Sequence, residues 1–257
     1  MKTSGLGDQL YIGGYDQSGD IGAVQNLSTT YAEWVVTGLD KSAEERQLLL
    51  ADGEIGFANY YDPVSPGLHA LFNTLPDTDA LVSYFRGATL GAVTASIQGK
   101  QCNYGLDRGA DGALIGQTIV IKGNGYALEW GYSLTAGKKT SVAAETLPGL
   151  DGTLQGYAGT PASNDPTVFY LHVFSMAGAA GDDVTVKIFH SDDDAVGDPY
   201  TELVAFTNVD IAAVPTAQRI TKTVTHAKLW LQVRTVTVSN YPTSVVFAVS
   251  ATRGIPL

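Results

Sequence analysis

Residues 126–135 read Tyr-Ala-Leu-Glu-Trp-Gly-Tyr-Ser-Leu-Thr, and this unbroken alternation is the tightest constraint in the chain. A strand points successive side chains to opposite faces, so Tyr126, Leu128, Trp130, Tyr132 and Leu134 share one face, and Ala127, Glu129, Gly131, Ser133 and Thr135 the other. The segment before it, residues 113–122, is rich in β-branched residues, and Gly123-Asn124-Gly125 between them tolerates the positive φ of a tight turn. Together the two segments predict one long β-hairpin, with its large apolar face inward and its small polar face toward water. A single bulge would exchange the two faces.

Composition supports a β-rich chain. Of 257 residues, 44% are hydrophobic and only 16% charged, and 29 are glycine, which fits many strands joined by turns better than a helical bundle. The length allows one large or two modest domains. A formal charge of −11 argues against a sequence-independent grip on nucleic-acid phosphates. Cys102 is the single cysteine, so no disulfide can form within this sequence. The first residues lack the apolar core of a signal peptide, and no run reaches the ~18 to 20 apolar residues of a membrane helix. The expectation is a soluble chain without a membrane anchor, folded inside the cell.

Taken in order, residues 10–12 and 29–36 predict strands, separated by a glycine-rich polar segment over 13–22. Ser42-Ala-Glu-Glu45 has the spacing of a capping box and predicts a helix over 43–50, closed by Asp52-Gly53. A strand over 53–61 follows, then a short helix over 66–73 with Leu68, Leu71 and Phe72 on one stripe. Strands are predicted over 80–85 and 90–100, with a loop over 101–112 leading to the hairpin. Proline and glycine accumulate between 140 and 162, which places a linker at 148–162 between a domain of residues 1–147 and another of 163–257. The second shows recurrent strands at 168–175, 184–190, 203–207, 218–225, 228–238 and 244–252, the pattern of a β-sandwich of jelly-roll or immunoglobulin-like kind.

No stretch arranges catalytic groups. Gly123-Asn-Gly125 lacks the lysine and hydroxyl residue of a phosphate loop, and there is no G-x-S-x-G elbow, no H-E-x-x-H and no Cys or His pair at metal spacing. His69, His172, His190 and His226 stand singly. Asp192-Asp-Asp194 with Asp198 offers the oxygen ligands that calcium favours, but not in EF-hand spacing, and acidic strand connections also keep sheet edges soluble. No cofactor, metal or catalytic residue is assigned, and a hydrolase would need a positioned acid pair or nucleophile and base that no motif provides.

Four stretches carry a resemblance: Gly-Asp-Gln-Leu-Tyr-Ile-Gly-Gly-Tyr-Asp at 7–16, Glu-Trp-Val-Val-Thr-Gly-Leu-Asp-Lys-Ser-Ala-Glu-Glu-Arg at 33–46, Leu-Val-Ser-Tyr-Phe-Arg-Gly at 81–87, and the run from Asn103-Tyr-Gly to Gly-Asn-Gly-Tyr-Ala-Leu-Glu-Trp-Gly131. In order and combination they resemble the major tail (tail tube) proteins of long-tailed, non-contractile, siphovirus-type bacteriophages, particularly those of actinobacterial hosts. Residues 163–257 look like the decoration domains attached to such proteins. The resemblance implies a mainly β fold, a tail-tube β-sandwich or barrel with a flanking helix and long hairpin, followed by the C-terminal β-sandwich. It implies a virion protein, not an enzyme, that self-assembles into hexameric rings stacked as a tube. Tape measure and tail terminator or tip proteins would be its partners, and DNA would cross the lumen unbound during ejection. On that reading Ala127, Glu129, Gly131, Ser133 and Thr135 line the lumen, and Glu129→Lys slows DNA passage without preventing assembly. A second reading makes the C-terminal sandwich a module that binds carbohydrate on a host surface through Tyr200, Trp230 and Tyr241.

Overall fold

The computed structural model describes residues 5–62, 67–73, 77–107, 116–155, 167–222 and 228–253. Its strands are β1 (Gln9–Ile12), β2 (Tyr15–Asp16), β3 (Ile21–Val35), β4 (Arg46–Tyr60), β5 (Ala80–Phe85), β6 (Val93–Asp107), β7 (Gly116–Gly123), β8 (Glu129–Ser133), β9 (Lys139–Ser141) and β10 (Leu150–Asp151). They continue with β11 (Thr167–Ala177), β12 (Asp183–Ser191), β13 (Thr201–Ala205), β14 (Val209–Asp210), β15 (Thr216–Lys222), β16 (Trp230–Val236) and β17 (Ser244–Arg253). One short helix, α1 (Leu68–Phe72), stands among them, so the fold is mainly β as expected.

The chain divides into two units, one of Met1–Gly19, Ser83–Ser96 and Glu129–Leu257, the other of Asp20–Val82 and Ile97–Leu128. This division corrects the boundary expected at 148–162. Strands β8 and β9 pair with β17, and Leu134 and Leu147 share a core with Phe169 and Val233, so residues on both sides of that glycine-rich stretch belong to one unit. Composition marks where a chain is irregular. It does not report which strands pair across the irregularity.

In the first unit a curved sheet runs β15-β11-β17-β8-β6-β5-β1-β2, and a smaller sheet runs β10-β16-β12-β13 with β14 beside β12. The curved sheet nearly closes into a barrel. Gly14, between β1 and β2, meets β15 so closely that a Cβ would lie 2.4 Å from the Thr216 nitrogen, and its φ of 89° suits glycine alone. One face of β11 and β17 (Phe169, Leu171, Val173, Val245, Phe247, Val249) packs against Val184, Val186 and Ile188 of β12 and Leu231 and Val233 of β16. That is the expected C-terminal sandwich, built on one wall of the barrel. The opposite face turns Tyr170 and His172 into the barrel, where Tyr11, Phe85 and Ala248 form a second apolar cluster. Strand β11 is therefore buried on both faces, which explains its nearly continuous run of large side chains.

In the second unit β3 pairs with β4, β4 with β7, and β7 with the Gly99–Asp107 portion of β6. Ile55, Phe57, Ile97, Ile119 and Ile121 are among its buried residues, with Leu68 and Phe72 of α1. The α1 helix matches the stripe read over 66–73, and Gln101 Nε2 donates to the Phe72 carbonyl at its C-terminal end.

Two local expectations are overturned. The segment expected as a helix over 43–50 is strand from Arg46 onward, and the Glu45 amide donates to Thr37 Oγ1 rather than to Ser42. A helix of this length is marginal alone, whereas strand pairing with β3 satisfies a continuous row of backbone groups. The segment over 101–112 is strand through Asp107.

The hairpin expected over 113–135 is also not formed as such. Residues 113–115 lie outside the described residues, and β7 and β8 do not pair with each other. Both pair antiparallel with β6, β7 at Gly99–Asp107 and β8 at Val93–Ser96, so the chain keeps its direction through 123–128. The Asn124 amide donates to the Gln98 carbonyl, so Gly123-Asn124-Gly125 is an irregular step along one neighbour rather than a reversal. The long hairpin of this protein is β3–β4 instead.

Candidate functional site

The β3–β4 hairpin extends to an exposed tip. Residues 29–35 of β3 pair with 46–53 of β4, with one register shift between Tyr31 and Glu33, and the turn is held by the Val36 amide on the Glu45 carbonyl. Here the alternation of a half-buried strand is absent. Tyr31, Trp34 (60% exposed), Val35, Val36, Leu39, Leu48 (62%), Leu49 and Leu50 (85%) are all exposed, on both faces of the ribbon. Ion pairs Lys41–Glu45 and Arg46–Glu33 sit among them at 3.2 and 3.1 Å. Being exposed, these pairs contribute little to stability. A patch of this kind concentrated on one element marks an interaction surface, because scattered exposed hydrophobics are normal but contiguous ones are rare on isolated soluble chains. Along β3, β4 is the sole pairing partner among the described residues, so a second edge of backbone donors and acceptors accompanies the apolar tip.

The residues expected to line a lumen lie elsewhere, inside the first unit. Glu129 is 4% exposed, Gly131, Ser133 and Thr135 are buried, and Ala127 is half-buried, whereas Trp130 is 50% exposed and Tyr126 is exposed. Period two also breaks, since Leu128 and Leu134 are buried beside Glu129 and Ser133. Within β8 the two sets keep their alternation, but the polar set is the one turned in, because a partner awaits it there. Arg219 of β15 pairs with both oxygens of Glu129, its Nε 3.2 Å from Oε2, and Nε also donates to the Tyr170 hydroxyl at 3.1 Å. The Tyr170 hydroxyl in turn donates to Glu129. Burial, reinforced by the Glu129 carboxylate, pushes the Tyr170 phenol well above its ordinary range. This triad is a buried, saturated ion pair that locks β8, β11 and β15 together. Its charged groups face one another inside the unit.

Deeper in the barrel, His172 Nε2 lies 2.9 Å from Ser83 Oγ, and Ser96 Oγ donates to Ser83 at 2.9 Å. A serine beside a histidine has a catalytic look, yet both residues are buried, and Tyr11 and Phe174 stack about the ring. Burial lowers the His172 pKa to about 3, so it remains neutral and cannot serve as a base poised near neutrality. The sign of its effect on stability follows. Unfolded, the ring takes a proton below about 6.5; folded, it does so only near 3; stability is therefore lost as pH falls through that window, by about 1.4 kcal/mol per pH unit from this group. His172→Gln is expected to flatten the acid limb of a urea-midpoint profile between pH 6.5 and 3, and an unchanged limb would contradict this.

Among the other residues singled out, His69 meets the Tyr104 hydroxyl on α1, and His190 is buried and accepts from the Lys228 amide at 3.2 Å. His226 lies outside the described residues. The acidic connection at 192–198 is a self-bonded loop: Asp193 accepts from the Gly197 and Asp198 amides, and Asp198 from the Asp192 amide and Lys228 Nζ. Its carboxylates are thus engaged by amides of the loop, by Lys228 and by the Tyr200 hydroxyl. Of the three aromatics, Tyr200 and Trp230 come together over Gly149, where a Cβ would lie 2.2 Å from the Tyr200 hydroxyl and 3.2 Å from Trp230 Cε3. Tyr241 is separate, its hydroxyl donating to Ser141 Oγ at 2.8 Å. No helix among the described residues is long and apolar enough to cross a membrane.

No protein-family model matches the chain, and no curated protein matches it. The solved structures that match the chain include the following. The Dit protein (gp 19.1) of phage SPP1, described as a paradigm of the hub adsorption apparatus in phages infecting Gram-positive hosts, is 10% identical with a TM-score of 0.33, covering 95% of this chain and 98% of that one. A chain of the phage p2 baseplate in its activated conformation with strontium is 9% identical with a TM-score of 0.34, covering 88% and 97%. Its counterpart with calcium is 9% identical with a TM-score of 0.33, covering 95% and 97%.

Proposed function

We propose that this chain is a structural subunit of a phage tail that assembles with copies of itself into rings. The observation that carries the reading is the β3–β4 hairpin: large side chains exposed on both faces, beside a strand edge, are left uncovered by the described residues. A second copy supplies a partner surface, because the same sequence offers both the apolar tip and further strand edges. The sequence stretches shared with tail tube proteins point the same way, and the second of them, 33–46, is the tip of this hairpin. The finer reading is a hexameric ring that stacks into the tail tube, with DNA crossing its lumen and with tape measure and tail terminator or tip proteins as neighbours in the virion. Light scattering on a size-exclusion column across rising concentration tests self-assembly. A mass that steps to a closed multiple of the monomer supports a ring, open-ended growth supports a tube, and a constant monomer mass contradicts both.

A second reading, a carbohydrate-binding role for the C-terminal sandwich, is favoured by one observation, the juxtaposition of Tyr200 and Trp230 over Gly149. It is compatible with the first, since a ring subunit can carry a binding face.

A further inference from the structure

The face of the smaller sheet that points away from the core has an unusual composition. Leu231 and Val233 of β16 point into the core, so Trp230, Gln232 and Arg234 share the other face. Phe189 of β12 lies opposite Gln232 in the register and is half-buried with them. Arg234 is held rather than free to swing. Its guanidinium carbon sits 4.0 Å from the centre of the Phe189 ring and 5.8 Å from that of Tyr200, and its Nε donates to Gln232 Oε1 at 2.9 Å. The neighbouring charges are spoken for: Lys187 pairs with Glu202 at 2.8 Å, and Asp194 accepts from the Tyr200 hydroxyl. Arg234 has no carboxylate partner among the described residues, and its two terminal nitrogens are left as a planar fork.

We propose that this face binds an anionic saccharide, a sugar carrying a carboxylate or a phosphate, with Arg234 gripping the oxyanion in bidentate fashion and Trp230 and Tyr200 stacking on the sugar rings. The inference rests on the second reading above and sharpens it to a ligand class. Stacking on Phe189 and the Gln232 contact fix the plane of the guanidinium before any ligand arrives, so little side-chain freedom is lost on binding. Fork-to-fork pairing with a carboxylate or phosphate is the geometry that a fixed guanidinium serves best. Tyr200 links the two ends of the site, its ring beside Arg234 and its hydroxyl beside Trp230 at Gly149. Four residues of strand separate Trp230 from Arg234, roughly 13 Å at about 3.3 Å per residue, which suits an oligosaccharide better than a small ion.

The test titrates the full-length chain with trigalacturonate and with its fully methyl-esterified, uncharged counterpart, and in a second arm with maltotriose phosphorylated at one terminal hydroxyl and with plain maltotriose. Expected are at least tenfold tighter binding of a charged probe than of its neutral partner, a preference that weakens with salt, and loss of that preference in Arg234→Gln with the thermal midpoint retained. Arg234→Lys should recover only part of it, because the ammonium keeps the charge but not the fork. Trp230→Ala should weaken charged and neutral probes alike. The two arms distinguish carboxylate from phosphate as the source of the anion. Equal binding of charged and neutral probes would overturn the assignment to Arg234 while leaving a saccharide-binding face in place. Binding of none of the four would overturn both.

Discussion

Replacing Glu129 with lysine is expected to leave most of the chain unfolded, although the sequence alone suggested a tolerated change in a wet lumen wall. The reason is the position of the side chain. Glu129 and Arg219 are respectively 4% and 9% exposed, and the carboxylate also accepts from Tyr170. Removing one member of a buried, hydrogen-bonded pair costs about 3–5 kcal/mol, and placing a second cation against Arg219 adds repulsion where water cannot screen it. Net stabilities of roughly 5–15 kcal/mol leave little margin for that. Glu129→Gln should be milder but still strongly destabilising, because Arg219 stays charged and buried. The double variant Glu129→Gln/Arg219→Met should regain most of the loss, since it is the unpaired charge rather than the absent pair that costs most. Urea unfolding followed by tryptophan fluorescence reads all three. A Glu129→Lys chain as stable as the wild type would mean that this side chain faces solvent.

Leu48→Asp/Leu50→Asp should do the opposite: keep the fold and abolish self-association. Both leucines are exposed in the single chain, at 62% and 85%, so charging them removes no buried contact within it. In an assembly where the tip is covered, losing two such side chains forfeits about 3 kcal/mol or more, roughly a hundredfold in the association constant for each tip engaged, before any cost of burying the new carboxylates. Rings that bury several tips would lose far more. A variant with unchanged thermal unfolding and only monomer at every concentration is the expected result, whereas unimpaired assembly would move the interface off this hairpin.

Strand positions were largely legible. The periodicity over 80–85, 168–175, 184–190 and 244–252 corresponds to β5, β11, β12 and β17, because each has one or both faces in a packed core and its side chains record that burial. The hairpin over 113–135 shows where legibility ended. Composition identified strand, and a glycine pair identified a break, but nothing local says whether the chain turns back at Gly123 or continues beside a third strand. That choice belongs to β6, which lies earlier in the sequence and supplies partners for both halves. The face assignment of Glu129 failed for a related reason. A glutamate on an alternating strand reads as solvated unless its partner is known, and Arg219 lies in β15, far along the chain.

The β3–β4 tip was misread because it violates the rule that sequence reading depends on. Capping-box spacing followed by a glycine stop predicts a helix when a chain is assumed to bury its own apolar residues. Here Leu48, Leu49 and Leu50 are consecutive and exposed in an extended strand, which has no rationale within one chain and a plain one in an assembly. A conflict between local pattern and observed structure is itself a pointer to function. Trp230, on the strand predicted over 228–238, and Tyr200 were singled out in the sequence as aromatic candidates, and their proximity at Gly149 is a fact of the structure alone. Nothing local marks Arg234, which completes the site, because its stacking on Phe189 crosses from one strand to another.

Self-assembly through the β3–β4 hairpin is tested most directly by negative-stain electron microscopy of the purified chain at high concentration, beside the Leu48→Asp/Leu50→Asp variant. Closed rings, alone or stacked with a regular axial repeat, in the wild type and none in the variant is the predicted result. Dispersed monomers in the wild type, or identical rings in both, would contradict it.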